Sequence, residues 1–150
     1  MNKDKCVSSG IESLHIFMDD VDTGRTVDFN PADSGFAESL YCLASKLSQI
    51  HDAKSQEYEA EEDPAARFDI SRAEDAEMRD AVDSMFGEGF CKDVFKTRLF
   101  ALADGMTVIE NFLFGILDEM DEAVTENLAK RDAKIKKYTD KYAKYQKHHK

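Results

Sequence analysis

The residues of this chain that could carry chemistry are four histidines, three cysteines and two acidic clusters, and their spacing decides what they can do. Histidine titrates near neutral pH and is the commonest metal ligand. Here His15 and His51 stand isolated in the sequence, and His148 and His149 fall in the last three residues. No HExxH pair, GxSxG elbow or phosphate-cradling glycine loop occurs, so the usual signatures of zinc, serine-nucleophile and nucleotide chemistry are missing. These histidines are expected to be solvated or hydrogen-bonded. Cys6, Cys42 and Cys91 form no CxxC pair, and an odd, scattered set suits a reducing cytoplasm. Cys91 follows Gly89-Phe90 at an expected helix start, where the helix dipole can activate a thiol. With no His or Asp patterned around it, a small buried residue is the expectation. The acidic stretch after Asp20 invites a calcium reading. An EF-hand starting there would place Gly24 one position early and Pro31 where the bidentate Glu belongs. The carboxylates from Glu57 to Asp63 read as a solvated loop. No catalytic residue, cofactor or metal ligand is predicted, and the chain is not expected to be an enzyme.

The elements that would have to hold such groups are legible from apolar spacing. Residues 1–10 are polar and expected to be flexible. Leu14, Ile16 and Met18 then alternate with Ser13, His15 and Phe17, and Thr26 to Phe29 alternates again. A β-hairpin follows, with Asp22-Thr23-Gly24 at its tip. Asn30-Pro31-Ala32-Asp33 reads as a helix start, with Asn as cap and Pro in the first helical position. Phe36, Leu40, Leu43, Leu47 and Ile50 recur at three- and four-residue intervals and require a buried face. That stripe lapses from Asp52 to Arg67, predicting a fraying helix and a mobile connection before Pro64. Ser71 and Glu74 match a capping box opening a helix through Met78, Ala81, Val82 and Met85. Gly87 would close it and Gly89 would allow the reversal. A further helical pattern starts at Phe90 and continues through Val94, Phe95, Leu99 and Leu102. The longest stripe runs from Val108 and Ile109 through Phe112, Leu113, Ile116, Leu117, Met120, Val124 and Leu128. Its helix starts near Arg98, Asp104 or Thr107; Gly105 favours a break, and Thr107 with Glu110 forms a second capping box.

The prediction is a mainly α, helical bundle-like single domain over residues 11–128, with a small N-terminal β-hairpin and a long C-terminal helix. At 150 residues and 42% hydrophobic content the chain can bury one ordinary core. The net charge of −11 is unevenly spread. Residues 129–150 hold nine Lys/Arg against two Asp, leaving 11 basic and 29 acidic residues on the body, a net −18. Nucleic acid is therefore not expected as a partner of the body, and the tail reads as an extended basic helix. No run of about 18 apolar residues predicts a membrane span. A soluble interaction protein results, with Tyr138, Tyr142 and Tyr145 on the tail as partner-binding candidates because tyrosine is enriched at interfaces.

Two stretches, VDFNPADSGFAESLYCLASKL and AVDSMFGEGFCKDVF, resemble the tail assembly chaperones of long-tailed phages and prophages of Gram-positive bacteria. The resemblance rests on Phe29, Asn30, Pro31, Asp33, Phe36 and Ala37, then on Val82, Asp83, Phe86, Gly87, Glu88, Gly89, Lys92 and Phe95. Lys96-Thr97-Arg98 replaces the glycine-rich turn that the family pattern has next. These are scaffold motifs. The resemblance implies a cytoplasmic, oligomeric assembly factor outside the mature virion, which keeps the hydrophobic tape-measure protein soluble and hands it to the major tail protein. A general helical adaptor or structural subunit is the alternative.

Overall fold

The computed structural model describes residues 2–148, with side chains described through Lys144. Strands β1 (Glu12–Met18) and β2 (Val21–Phe29) form the expected antiparallel hairpin. Its tip is Asp19-Asp20, at φ 52° and 66°, and not Asp22-Thr23-Gly24. A two-residue loop whose central residues both take positive φ matches the twist of the strands it joins, and Asp tolerates that conformation. Thr23 instead lies within β2 and donates its hydroxyl to the Ile16 carbonyl (2.7 Å), where the register slips between His15 and Phe17.

Helix α1 (Ser34–Ala60) is capped by Asp33, whose carboxylate accepts from the Gly35 N–H, so Asn30 is not the cap. Asn30 closes the preceding turn: its side-chain oxygen accepts from Ala32 N–H and its carbonyl from Asp33 N–H. Pro31 is buried in that turn rather than in the first helical position. The turn lets Phe29 and Phe36 stack with centroids 4.4 Å apart, tying the hairpin to α1. Leu40, Leu43 and Leu47 are buried as the stripe requires.

Helix α2 (Pro64–Phe86) begins seven residues before Ser71, and only residues 61–63 separate it from α1. The expected loose connection is therefore a tight helical hairpin, with Asp63 as N-cap and Pro64 in the first turn. The apolar stripe lapses there because the far ends of α1 and α2 pair mainly with each other, through polar contacts. Lys54 bridges Glu57 and Glu77, Arg67 lies 4.9 Å over the Tyr58 ring, and its guanidinium donates to the Glu61 carbonyl.

Helix α3 (Phe90–Val94) is a single turn, and the expected helical run to Leu102 is absent: Leu99 is buried in an irregular segment, while Leu102 is 80% exposed. A second hairpin, β3 (Leu102–Ala103) and β4 (Met106–Thr107), turns at Asp104-Gly105, both at positive φ. Helix α4 (Val108–His148) starts at the Thr107 box, one of the three starts the sequence left open. Glu110 accepts from the Thr107 N–H and hydroxyl, and Glu110 N–H donates back to Thr107 Oγ1. These bonds hold the Glu110 carboxyl below its ordinary pKa.

Phe86, Phe90, Phe95 and Phe112 pack ring against ring at centroid distances of 5.1 to 6.4 Å, joining α2, α3 and α4. The last buried residue of α4 is Met120; Val124 and Leu128 are 40% and 52% exposed, so the stripe outlasts the core. Among the described residues no helix is long and apolar enough to cross a membrane.

Candidate protein-binding groove

The segment between α3 and β3 has no regular structure, yet its backbone is held by two side chains of α2. Asp75 and Arg79, one helical turn apart, are paired at 2.7 Å. The Arg79 guanidinium donates to the carbonyls of Cys91 (3.2 Å), Phe95 (3.3 Å) and Thr97 (2.6 Å), while Asp75 accepts from the buried Leu99 N–H (2.8 Å). One i, i+4 pair thereby satisfies four backbone groups, which buried backbone requires. In sequence the pair looks like any surface salt bridge, and nothing marks its role.

The FGEG turn is organised similarly. Asp83 accepts from the Cys91 N–H (2.8 Å), and Gly87 N–H donates to the Asp83 carbonyl. Arg25 reaches from β2 to the Glu88 carbonyl (2.9 Å) and to Asp93 (2.7 Å). Gly89 has φ 75°, and a Cβ there would lie 3.2 Å from the Arg25 guanidinium. Cys91 is buried as expected, and burial, reinforced by Asp83, pushes its thiol pKa far up. The motif residues Phe29, Asn30, Pro31, Asp33, Phe36, Phe86, Gly87, Gly89 and Phe95 thus all occupy turns, caps or packing positions.

What these devices position is a cleft of about 970 Å³ between the two hairpins, residues 93–97 and the first turns of α4. Half-buried Val108 and Phe112 line it over the buried Ile16, Val94, Phe95 and Ile116, and Phe17, Val21 and Leu102 are 58%, 66% and 80% exposed. Five consecutive residues of β1, Leu14 to Met18, line it, as an edge does and a face does not. Among the described residues β1 has no other strand neighbour. Gly115 opens the α4 wall, with nothing within 4 Å of where a Cβ would stand. Asp19, Asp22, Asp104 and Glu119 line the cleft as exposed acids, with Lys96 opposing them and Asp93 already paired to Arg25. Asn111 anchors the small hairpin to α4 through the Ala103 carbonyl (2.9 Å). One wall of this groove is a strand edge.

The chain matches no family model, no curated protein and no solved structure.

His51 is not isolated, as its place in the sequence suggested. Its Nδ1 lies 2.6 Å from Glu74, its Nε2 3.4 Å from the Ser55 hydroxyl, and its ring stacks on Phe100 at 4.3 Å. This trio has the order of a hydrolytic triad. An oxyanion also needs donors beside the nucleophile, but Ser55 lies inside α1, where backbone N–H groups are spent on the helix. The trio is a clasp joining α1, α2 and the segment before β3. Tyr138 and Tyr142 are exposed on α4, with Ile135 between Leu128 and them on the same stripe. The side chains of Tyr145 and His148, and all of His149, lie outside what the structure describes.

Proposed function

We propose that this chain is a tail assembly chaperone of the kind made by long-tailed phages and prophages of Gram-positive bacteria. It is non-catalytic, works in the host cytoplasm alongside the major tail protein, and stays out of the finished virion. Its client is the hydrophobic tape-measure protein. The observation that carries the reading is the cleft: an apolar floor with Phe17, Val21 and Leu102 at its rim, on a body of net charge −18. A client rich in exposed apolar helix needs such a floor, and the acidic surface keeps the complex soluble. Client side chains at i, i+3, i+4 and i+7 would fill it. The motif residues support the reading by building the turns that hold the cleft walls.

The test is co-expression with a tape-measure fragment followed by size-exclusion chromatography. A soluble complex is expected, lost in Gly115→Lys, which projects a charged chain into the cleft without touching its own fold. A fragment that stays insoluble, with no complex at any salt concentration, would replace the chaperone by a general helical adaptor.

A further inference from the structure

We infer that the overhanging part of α4 is one helix of a heterotypic coiled coil, whose other helix is an acidic amphipathic segment of another protein. Met120 is the last buried residue of α4, and beyond it Val124, Leu128, Arg131, Ile135, Tyr138 and Tyr142 recur at alternating intervals of four and three. Such spacing averages about 3.5 residues and draws a narrow seam along the helix, the pattern that a second helix covers. The apolar members of the seam are 40% to 62% exposed, over about 27 Å at 1.5 Å per residue.

Charge decides what the second helix is. Lys134 and Lys141 border the seam on one side, Lys130, Lys137 and Lys144 stand one row behind them, and all are exposed. Arg131 sits in the seam itself, met by Asp132 of its own helix at 3.9 Å. No seam position carries an acid, so two copies of α4 would bury two Arg131 side chains with no carboxylate between them, which desolvation opposes. Helices α1 and α2 of another copy cannot serve either, because their apolar stripes are buried in the core. A lipid surface calls for a wide apolar face, whereas the positions bordering this seam are Asp132, Lys134, Thr139 and Lys141. Nucleic acid would engage the lysines and leave the apolar seam uncovered. A helix with apolar residues at four-three spacing, an acid opposite Arg131 and acids along the edge facing Lys134 and Lys141 meets all three features together. The seam shares no residue with the cleft, so this partner is additional to the client of the cleft and stands whether or not that client binds.

The probe is a fluorescently labelled synthetic helix-forming peptide with leucine along its seam, a single glutamate at the seam position that faces Arg131, and glutamate along both edges. A twin peptide carries lysine in place of every glutamate. Anisotropy against the full-length protein is expected to show one-to-one binding of the acidic peptide, at least about tenfold tighter than the lysine twin and weakened by salt. Ile135→Ser/Tyr138→Ser, at exposed positions beyond the body, should lower that affinity at least about tenfold. Arg131→Leu should reverse the preference between this peptide and one whose seam glutamate is leucine, a change that mere adhesion of an acidic chain to a basic tail does not give. Equal binding of the twins, an unchanged affinity in the Ile135→Ser/Tyr138→Ser protein, or an unchanged preference in Arg131→Leu would overturn the proposal. So would sedimentation in which wild-type tails pair with each other and exclude the peptide, or tighter binding of a short DNA duplex or of phosphatidylserine vesicles than of the acidic peptide.

Discussion

Replacing Asp75 by alanine removes the acceptor of the Leu99 N–H and leaves the Arg79 guanidinium without its carboxylate. Leu99 is fully buried, so its stranded N–H costs about 1–3 kcal/mol. The Arg79–Asp75 pair is partly exposed, with side chains 25% and 17% accessible, and its charge-assisted bond contributes less than a fully buried one, about 1 kcal/mol after screening. Together the loss is about 2–4 kcal/mol, which for a domain of this size lowers Tm by about 4–16 °C. Asp75→Asn keeps an oxygen for Leu99 and loses the charge, so it should cost about 1 kcal/mol. Urea denaturation of the three proteins measures the series, with the midpoint shifting and the slope unchanged. Native-state hydrogen exchange locates it, because Leu99 should lose protection in Asp75→Ala and retain it in Asp75→Asn. An Asp75→Ala protein within 0.5 kcal/mol of wild type, or equal effects from both substitutions, would refute the assignment of Asp75 as the support of the cleft wall.

Leu43→Ala should cost about 2–5 kcal/mol by thermal melting, since Leu43 lies in the α1 core stripe. Gly89→Ala should cost about 1–2 kcal/mol by the same measurement, because an L side chain at φ 75° is strained and its Cβ crowds Arg25. A thiol reagent at neutral pH should label the exposed Cys6 and Cys42 in the folded protein and reach the buried Cys91 only after denaturation. The Cys91 thiol pKa is raised on folding from an ordinary 9.0, so the stability it contributes is present below about pH 9 and declines above it, where the unfolded thiol ionises and the folded one does not. In Cys91→Ser that alkaline decline should be smaller, as read from urea midpoints across the pH range.

The sequence by itself determined the elements whose evidence is local. Leu40, Leu43 and Leu47 had to be buried because their spacing puts them on one helical face, and the Thr107–Glu110 box, whose bonds close within one turn, was legible as one of three possible starts of α4. The FGEG turn was equally readable, since Gly87 and Gly89 both take positive φ, where glycine is least strained. Tertiary structure decided the rest. The lapse of the stripe after Asp52 looked like a loop because periodicity registers apolar burial, whereas the far ends of α1 and α2 meet through charges and a cation over a ring. Phe95 to Leu102 looked helical because Phe95, Leu99 and Leu102 share a helical spacing; in the fold, Asp75 and Arg79 take its backbone hydrogen bonds instead. His51 and Glu74 are 23 residues apart, and no local pattern joins them. The cleft is the extreme case: its walls come from two hairpins, residues 93–97 and the start of α4, so no single segment records it.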